Sequence, residues 1–137
     1  MMLIDTFVAT SAIHGIGIFT KEFIKSDSKI WEFEQGIDII LTLEQLQAMP
    51  LWKRTYFEIY CYMNDGKLYY CSDNARFMNH SENSNTIEKP DGTYAAFDIE
   101  IGQELTCNYA NFGITQEDLL FNYSLFINNE TNKLLIK

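Results

Sequence analysis

Asp73-Asn74-Ala75-Arg76-Phe77-Met78-Asn79-His80-Ser81-Glu82-Asn83-Ser84-Asn85 is dense in hydrogen-bonding side chains and follows the aromatic run Leu68-Tyr69-Tyr70. Loops this rich in Asn, His and Ser either build their own turns or present polar groups to a ligand. Ile13-His14-Gly15-Ile16-Gly17-Ile18-Phe19 lies upstream, and Glu104-Leu105-Thr106-Cys107-Asn108-Tyr109 lies downstream. Taken alone, the paired glycines read as a tight turn. They fall short of a dinucleotide fingerprint, which needs a third glycine and a following helix. Taken alone, Tyr109 reads as a core tyrosine with a satisfied hydroxyl. His14 and His80 lack an acidic partner at ligand spacing, so no metal site is expected.

The rest of the chain predicts many short strands and few helices. Phe7 and Val8 suit a strand, and Trp31-Glu32-Phe33-Glu34 alternates like one. Thr42, followed three residues later by Gln45, makes a capping box for a short helix. Thr55 to Tyr62 fits a second short helix or a strand. Asn64-Asp65-Gly66-Lys67 and Asp91-Gly92 are hairpin signals, and Ile101-Gly102 is a turn. Thr115-Gln116-Glu117-Asp118 opens the strongest helix, with Leu119, Leu120, Tyr123 and Phe126 or Ile127 on its apolar face. Of the aromatic set Tyr56, Phe57, Tyr60, Tyr62, Tyr69 and Tyr70, most is expected in the core. No repeat or linker divides the chain, so its 137 residues are expected to form one structural domain.

A hydrophobic fraction of 47% excludes global disorder. Nineteen Asp+Glu against ten Lys+Arg give a net charge of -9. That excludes nucleic-acid binding through a global field and favours basic partners by long-range steering. Three cysteines without C-x-x-C spacing make neither a disulfide framework nor a structural zinc. No leader is evident and no run approaches the ~18 apolar residues of a membrane span, so an intracellular protein, cytoplasmic or nuclear, is expected.

In their order and separations, the three segments resemble those of the SET-domain protein lysine methyltransferases. Ile13 to Phe19 is similar to the family's N-terminal glycine motif. Arg76-Phe77-Met78-Asn79-His80-Ser81 with Asn85 is similar to its R-F-x-N-H-S-x-x-x-N motif, and Glu104 to Tyr109 to its E-L-T-x-[DN]-Y motif. The resemblance covers roughly residues 3–112. More weakly, Leu119 to Asn129 is similar to a segment that follows the catalytic tyrosine in SET enzymes acting on non-histone proteins. The family's usual proline before the last Asn is Ser84 here, and a cysteine often found after N-H-S is Glu82. The cysteine cluster of a zinc-binding post-SET module is missing.

The resemblance implies a mainly β fold with short helices: small sheets, a C-terminal pseudoknot and a closing C-terminal helix. Residues 1–112 would form the SET domain, and 113–137 a helical segment completing the channel. It implies S-adenosyl-L-methionine as cofactor, with S-adenosyl-L-homocysteine as product. His14, Gly15, Ile16, Gly17, Tyr56, Asn79, His80, Tyr109 and Phe112 would bind it. Tyr109 would be the catalytic tyrosine, and Phe33 and Tyr56 would line the lysine channel. The implied substrate is a lysine in a basic protein or peptide, a histone being the commonest family target, which connects the chain to chromatin. Residues 36–52 match no motif and include Leu51 and Trp52, so they are expected to form a substrate-selecting rim. Two other readings stand beside the enzyme. One is a catalytically silent SET-like protein-binding module. The other is a cysteine hydrolase pairing Cys61, Cys71 or Cys107 with His80.

Overall fold

The computed structural model describes residues 1–64 and 66–112. These residues form three small sheets around one core. The first sheet has the order β1-β2-β10-β7, from Thr6–Thr10, Ile16–Thr20, Glu104–Cys107 and Asn79–His80. The second has the order β3-β9-β8, from Lys29–Trp31, Gly92–Ala95 and Thr86–Lys89. The third has the order β4-β6-β5, from Ile39–Thr42, Lys67–Tyr70 and Cys61–Asn64. Two helices, α1 (Leu43–Gln47) and α2 (Leu51–Tyr60), join the third sheet's outer strands. The fold is therefore mainly β with short helices. Among the described residues no helix is long and apolar enough to cross a membrane.

Alternation along β2 sets up the core. Ile18 and Thr20 point inward and are fully buried, while Phe19 stacks on Phe7 at 5.4 Å on the other face. The core then gathers Ile24, Ile30, Trp31, Cys71, Met78, Ala95, Ile99, Leu105 and Cys107. None of the three cysteines forms a disulfide with another. Burial pushes the Cys61 and Cys71 thiols up to about 12, Asp38 adding to the effect at Cys71. A thiol so raised is not a nucleophile at neutral pH, which removes Cys61 and Cys71 from the hydrolase reading.

Turn chemistry explains the connections. The capping box at Thr42 forms as expected: Gln45 N–H donates to Thr42 Oγ1 at 3.1 Å, and Thr42 N–H to Gln45 Oε1 at 2.9 Å. Gly66 and Gly102 adopt positive φ in the turns before β6 and β10. Four expectations change. The strand at Trp31 ends there instead of running to Glu34. Gly17 lies inside β2 rather than in the turn, which is made by residues 11–15. The ambiguous stretch splits into α2 and β5 at Cys61. None of the six aromatic residues Tyr56, Phe57, Tyr60, Tyr62, Tyr69 and Tyr70 is fully buried among the described residues, because they pack on one another more than under other elements. The helix expected after Thr115, and the 113–137 tail with it, lie outside the described residues.

Asp38 ties the third sheet to its surroundings. Its carboxylate accepts from the Met1 amine, Glu34 N–H and Ser72 N–H. Burial alone would raise its pKa, but these donors hold it below the usual carboxylate value.

Candidate active site

β10 is held on both sides by segments distant in sequence. It runs antiparallel to β2 and parallel to β7, with Thr106 opposite Asn79 and Cys107 opposite His80. Asn85 then grips its edge: Nδ2 donates to Glu104 O at 2.7 Å and Oδ1 accepts from Thr106 N–H at 2.9 Å. Thr86 Oγ1 donates to Thr106 O at 2.7 Å. The chain from β7 to β8 therefore wraps around β10, the interlocked arrangement of a pseudoknot. Ser84 ties this turn by donating to Thr86 O at 2.9 Å.

The wrap brings the three motif segments together. Asn79 is 3% exposed, and its Nδ2 donates to His14 O at 3.0 Å and Ile16 O at 3.1 Å, across more than sixty residues of sequence. His80 Nδ1 accepts from Tyr109 N–H at 3.2 Å, and the two rings lie 5.1 Å apart. With Nδ1 accepting, the neutral His80 ring carries its proton on Nε2. Tyr109 begins the 3₁₀ turn Tyr109–Phe112, and its hydroxyl donates to Met78 O at 2.9 Å. Burial, with Cys107 adding to it, pushes the Tyr109 phenol above its ordinary value. Tyr109 thus stays protonated at physiological pH.

Other candidates spread more widely. Tyr56 lies on α2, and its hydroxyl pairs with that of Tyr70 at 2.8 Å. Burial first, and this hydrogen bond second, raise the Tyr70 phenol. Phe33 packs edge-on against Tyr69 at 5.8 Å. Tyr69 and Tyr70 are successive residues of β6, so Phe33 and Tyr56 sit on opposite faces of the third sheet. The fold does not bring these two together. Phe112 closes the turn after Tyr109, with its side chain outside the described residues. Arg76, prominent in the motif, is committed to the loop itself. It donates to Ser72 O at 3.3 Å and Asp73 O at 2.9 Å, and its guanidinium lies 4.5 Å from the Phe77 ring centre.

Ser11 and Glu104 were given no role by the sequence reading. Ser11 Oγ donates to both Glu104 carboxylate oxygens, at 2.8 and 2.9 Å, and Asn79 Nδ2 also donates to Glu104 Oε1 at 2.9 Å. A serine just before a glycine turn was the one local signal. Glu104 opens the Glu104 to Tyr109 segment, but its partner lies 93 residues away. Among the described residues no cluster of three or more His, Cys, Asp or Glu side chains could hold a metal.

The loop of residues 12–16 is exposed, with Ile13 at 52% and Ile16 at 41%. Apolar side chains, exposed main chain, the buried Asn79 amide and a carboxylate thus meet on one edge. That donor set fits a small ligand carrying apolar surface and positive charge, and S-adenosylmethionine has both. His14, Gly15, Ile16, Asn79 and His80 are the residues that could hold it.

A family model for the SET domain matches residues 15–110. Among solved structures, a candidate histone methyltransferase from Plasmodium falciparum superposes with a TM-score of 0.55 at 20% identity, covering 77% of this chain and 96% of that one. A humanized mutant of the Chaetomium thermophilum Polycomb Repressive Complex 2, bound to the inhibitor GSK126, superposes with a TM-score of 0.59 at 18% identity. That match covers 80% of this chain and 15% of the other. At such identities the likeness is one of fold. No curated protein matches the sequence.

Proposed function

The chain belongs to the SET-domain family, and on that premise we propose that it is an S-adenosylmethionine-dependent protein-lysine N-methyltransferase. One observation carries the reading: the convergence of the glycine loop, Asn79-His80 and Tyr109 around β10. The cofactor, when bound, supplies an electrophilic methyl group on a sulfonium.

The chain's own residues supply position. Asn79 Nδ2 is occupied by the carbonyls of His14 and Ile16 and by Glu104, so its carboxamide oxygen is the atom that can accept from a ligand amine. His80 anchors the backbone of Tyr109. The Tyr109 hydroxyl donates to Met78 O at 2.9 Å, which fixes the ring that is to orient the substrate amine. Because its phenol is raised, Tyr109 orients that amine and does not deprotonate it.

A free lysine, with a pKa near 10.4, is neutral in only about 1 of 2,500 molecules at pH 7, a cost of about 4.6 kcal/mol. Aromatic walls lower that cost by desolvating the ammonium. Phe33, Tyr62, Tyr69 and Trp31 form such a surface on one face of the third sheet, with Tyr62 stacked on Tyr69 at 5.3 Å and edge-on to Trp31 at 6.4 Å. The substrate is a lysine in a basic protein, which the net charge of -9 attracts. Residues 36–52 form β4, α1 and the start of α2, and serve as the substrate rim. Leu51 and Trp52 there are 66% and 76% exposed.

The test is transfer of labelled methyl from S-adenosylmethionine onto core histones and a mixture of basic proteins. Label is expected in wild type and reduced about 10²-fold in Tyr109→Phe, the scale of a misplaced reacting group. No label, together with no cofactor binding by calorimetry, would sink the enzyme and leave the binding-module reading.

A further inference from the structure

We propose that Ser11 and Glu104 form a positioning clamp that sets the shape of the 12–16 loop and, through it, the affinity for the cofactor. This inference rests on the methyltransferase reading above.

The clamp works through saturation. The Ser11 hydroxyl has one proton and two lone pairs. Its proton is shared between the two Glu104 oxygens, at 2.8 and 2.9 Å. Its lone pairs accept from Ile13 N–H at 2.9 Å and His14 N–H at 3.1 Å. Ser11 N–H also donates to Gly15 O at 2.8 Å, which closes the turn and holds Gly15 at a φ of 48°. The start and the end of the loop are thus both tied to Ser11.

Glu104 joins this side of the loop to the other. Its Oε1 accepts from Ser11 and also from Asn79 Nδ2, the group that holds the carbonyls of His14 and Ile16. A Cβ added at Gly17 would lie 2.2 Å from Glu104 Oε1 and 3.2 Å from Ser11 Cβ. Glycine at position 17 is therefore required by the clamp. Among the described residues Glu104 makes no salt bridge, so only hydrogen-bond donors offset its charge. Hydrogen bonds to an ionised acceptor are roughly twice as strong as neutral ones, which suits a clamp. A residual negative charge beside the loop also favours a cationic ligand.

The test is calorimetric titration of the full chain with S-adenosylmethionine, alongside steady-state kinetics and thermal unfolding. The proteins are wild type, Ser11→Ala, Ser11→Thr and Glu104→Gln. Ser11→Ala and Glu104→Gln are expected to raise the cofactor Kd roughly tenfold, the scale of one hydrogen bond to a charged group. For Ser11→Ala, kcat at saturating cofactor and KM for the protein substrate should stay within about twofold, and Ser11→Thr, which keeps the hydroxyl, should bind as wild type does. If wild type binds and both variants bind equally well, the clamp is wrong while the methyltransferase reading stands. If kcat, both KM values and the melting temperature all change together, the role is structural and the proposal falls. Absence of binding by wild type overturns both. Should Glu104→Gln fail to fold, the Ser11 pair alone decides.

Discussion

Glu88 carries a carboxyl whose chemistry its surroundings change. It stands opposite Thr93 on β9, which in turn stands opposite Trp31 on β3. Its Oε2 accepts from Thr93 Oγ1 at 2.7 Å, while Oε1, like Trp31 Nε1, is buried with no hydrogen-bond partner among the described residues. Burial pushes the Glu88 carboxyl up to about 7, against a smaller lowering by Thr93. The folded chain therefore holds this proton where the unfolded chain, with a pKa near 4.5, has released it. Stability from this group falls as pH rises from about 4.5 to about 7 and is flat above. Glu88→Gln, measured by denaturant unfolding, should stabilise on the order of 1–2 kcal/mol at pH 8 and change little at pH 4. Equal effects at both pH values would refute a protonation origin. Residue-level legibility follows the same logic. Asn79, His80 and Tyr109 were legible because their types and order match a motif. Glu88 was not, because its burial comes from strands that only the fold sets beside it.

The elements separate cheap contacts from costly ones. Gly92 opens β9 with a φ of 148°, and a Cβ there would lie 2.3 Å from Trp31 O. Gly92→Ala should therefore cost more than about 2 kcal/mol, from strain and a broken β3–β9 contact, seen as a lower denaturant midpoint at unchanged m. A loss under about 0.5 kcal/mol would mean that the second sheet yields there. The rim behaves differently. Leu51 and Trp52 open α2 and touch little, so the double change to Ala should leave stability and cofactor Kd unaltered. It should raise KM for the protein substrate about tenfold, as loss of an aromatic anchor does. An unchanged KM would remove Leu51 and Trp52 from substrate choice. Most elements were readable because turn chemistry is local: the Thr42 capping box and the hairpin glycines need only their neighbours. The extent of β3 and the exposure of α2 were not, since both depend on what packs alongside.

At the scale of the whole molecule, charge and proton supply set the behaviour of the proposed reaction. With Tyr109 protonated throughout, the single-turnover rate should rise with pH from about 7 to about 9, as the lysine amine loses its proton. A flat profile with chemistry shown to be rate-limiting would overturn this account. The sequence by itself determined a mainly β chain, its hairpin positions, its acidic character and the three motif segments, because each is written in side chains within a few residues of one another. Only the tertiary structure decided that β10 threads between β2 and β7, that Asn85 clasps it, and that Ser11 meets Glu104 across 93 residues. It also decided that Phe33 and Tyr56 lie on opposite faces of one sheet. Those outcomes depend on strand order and pleat parity, which arise when distant segments pair and leave no mark on the residues nearby.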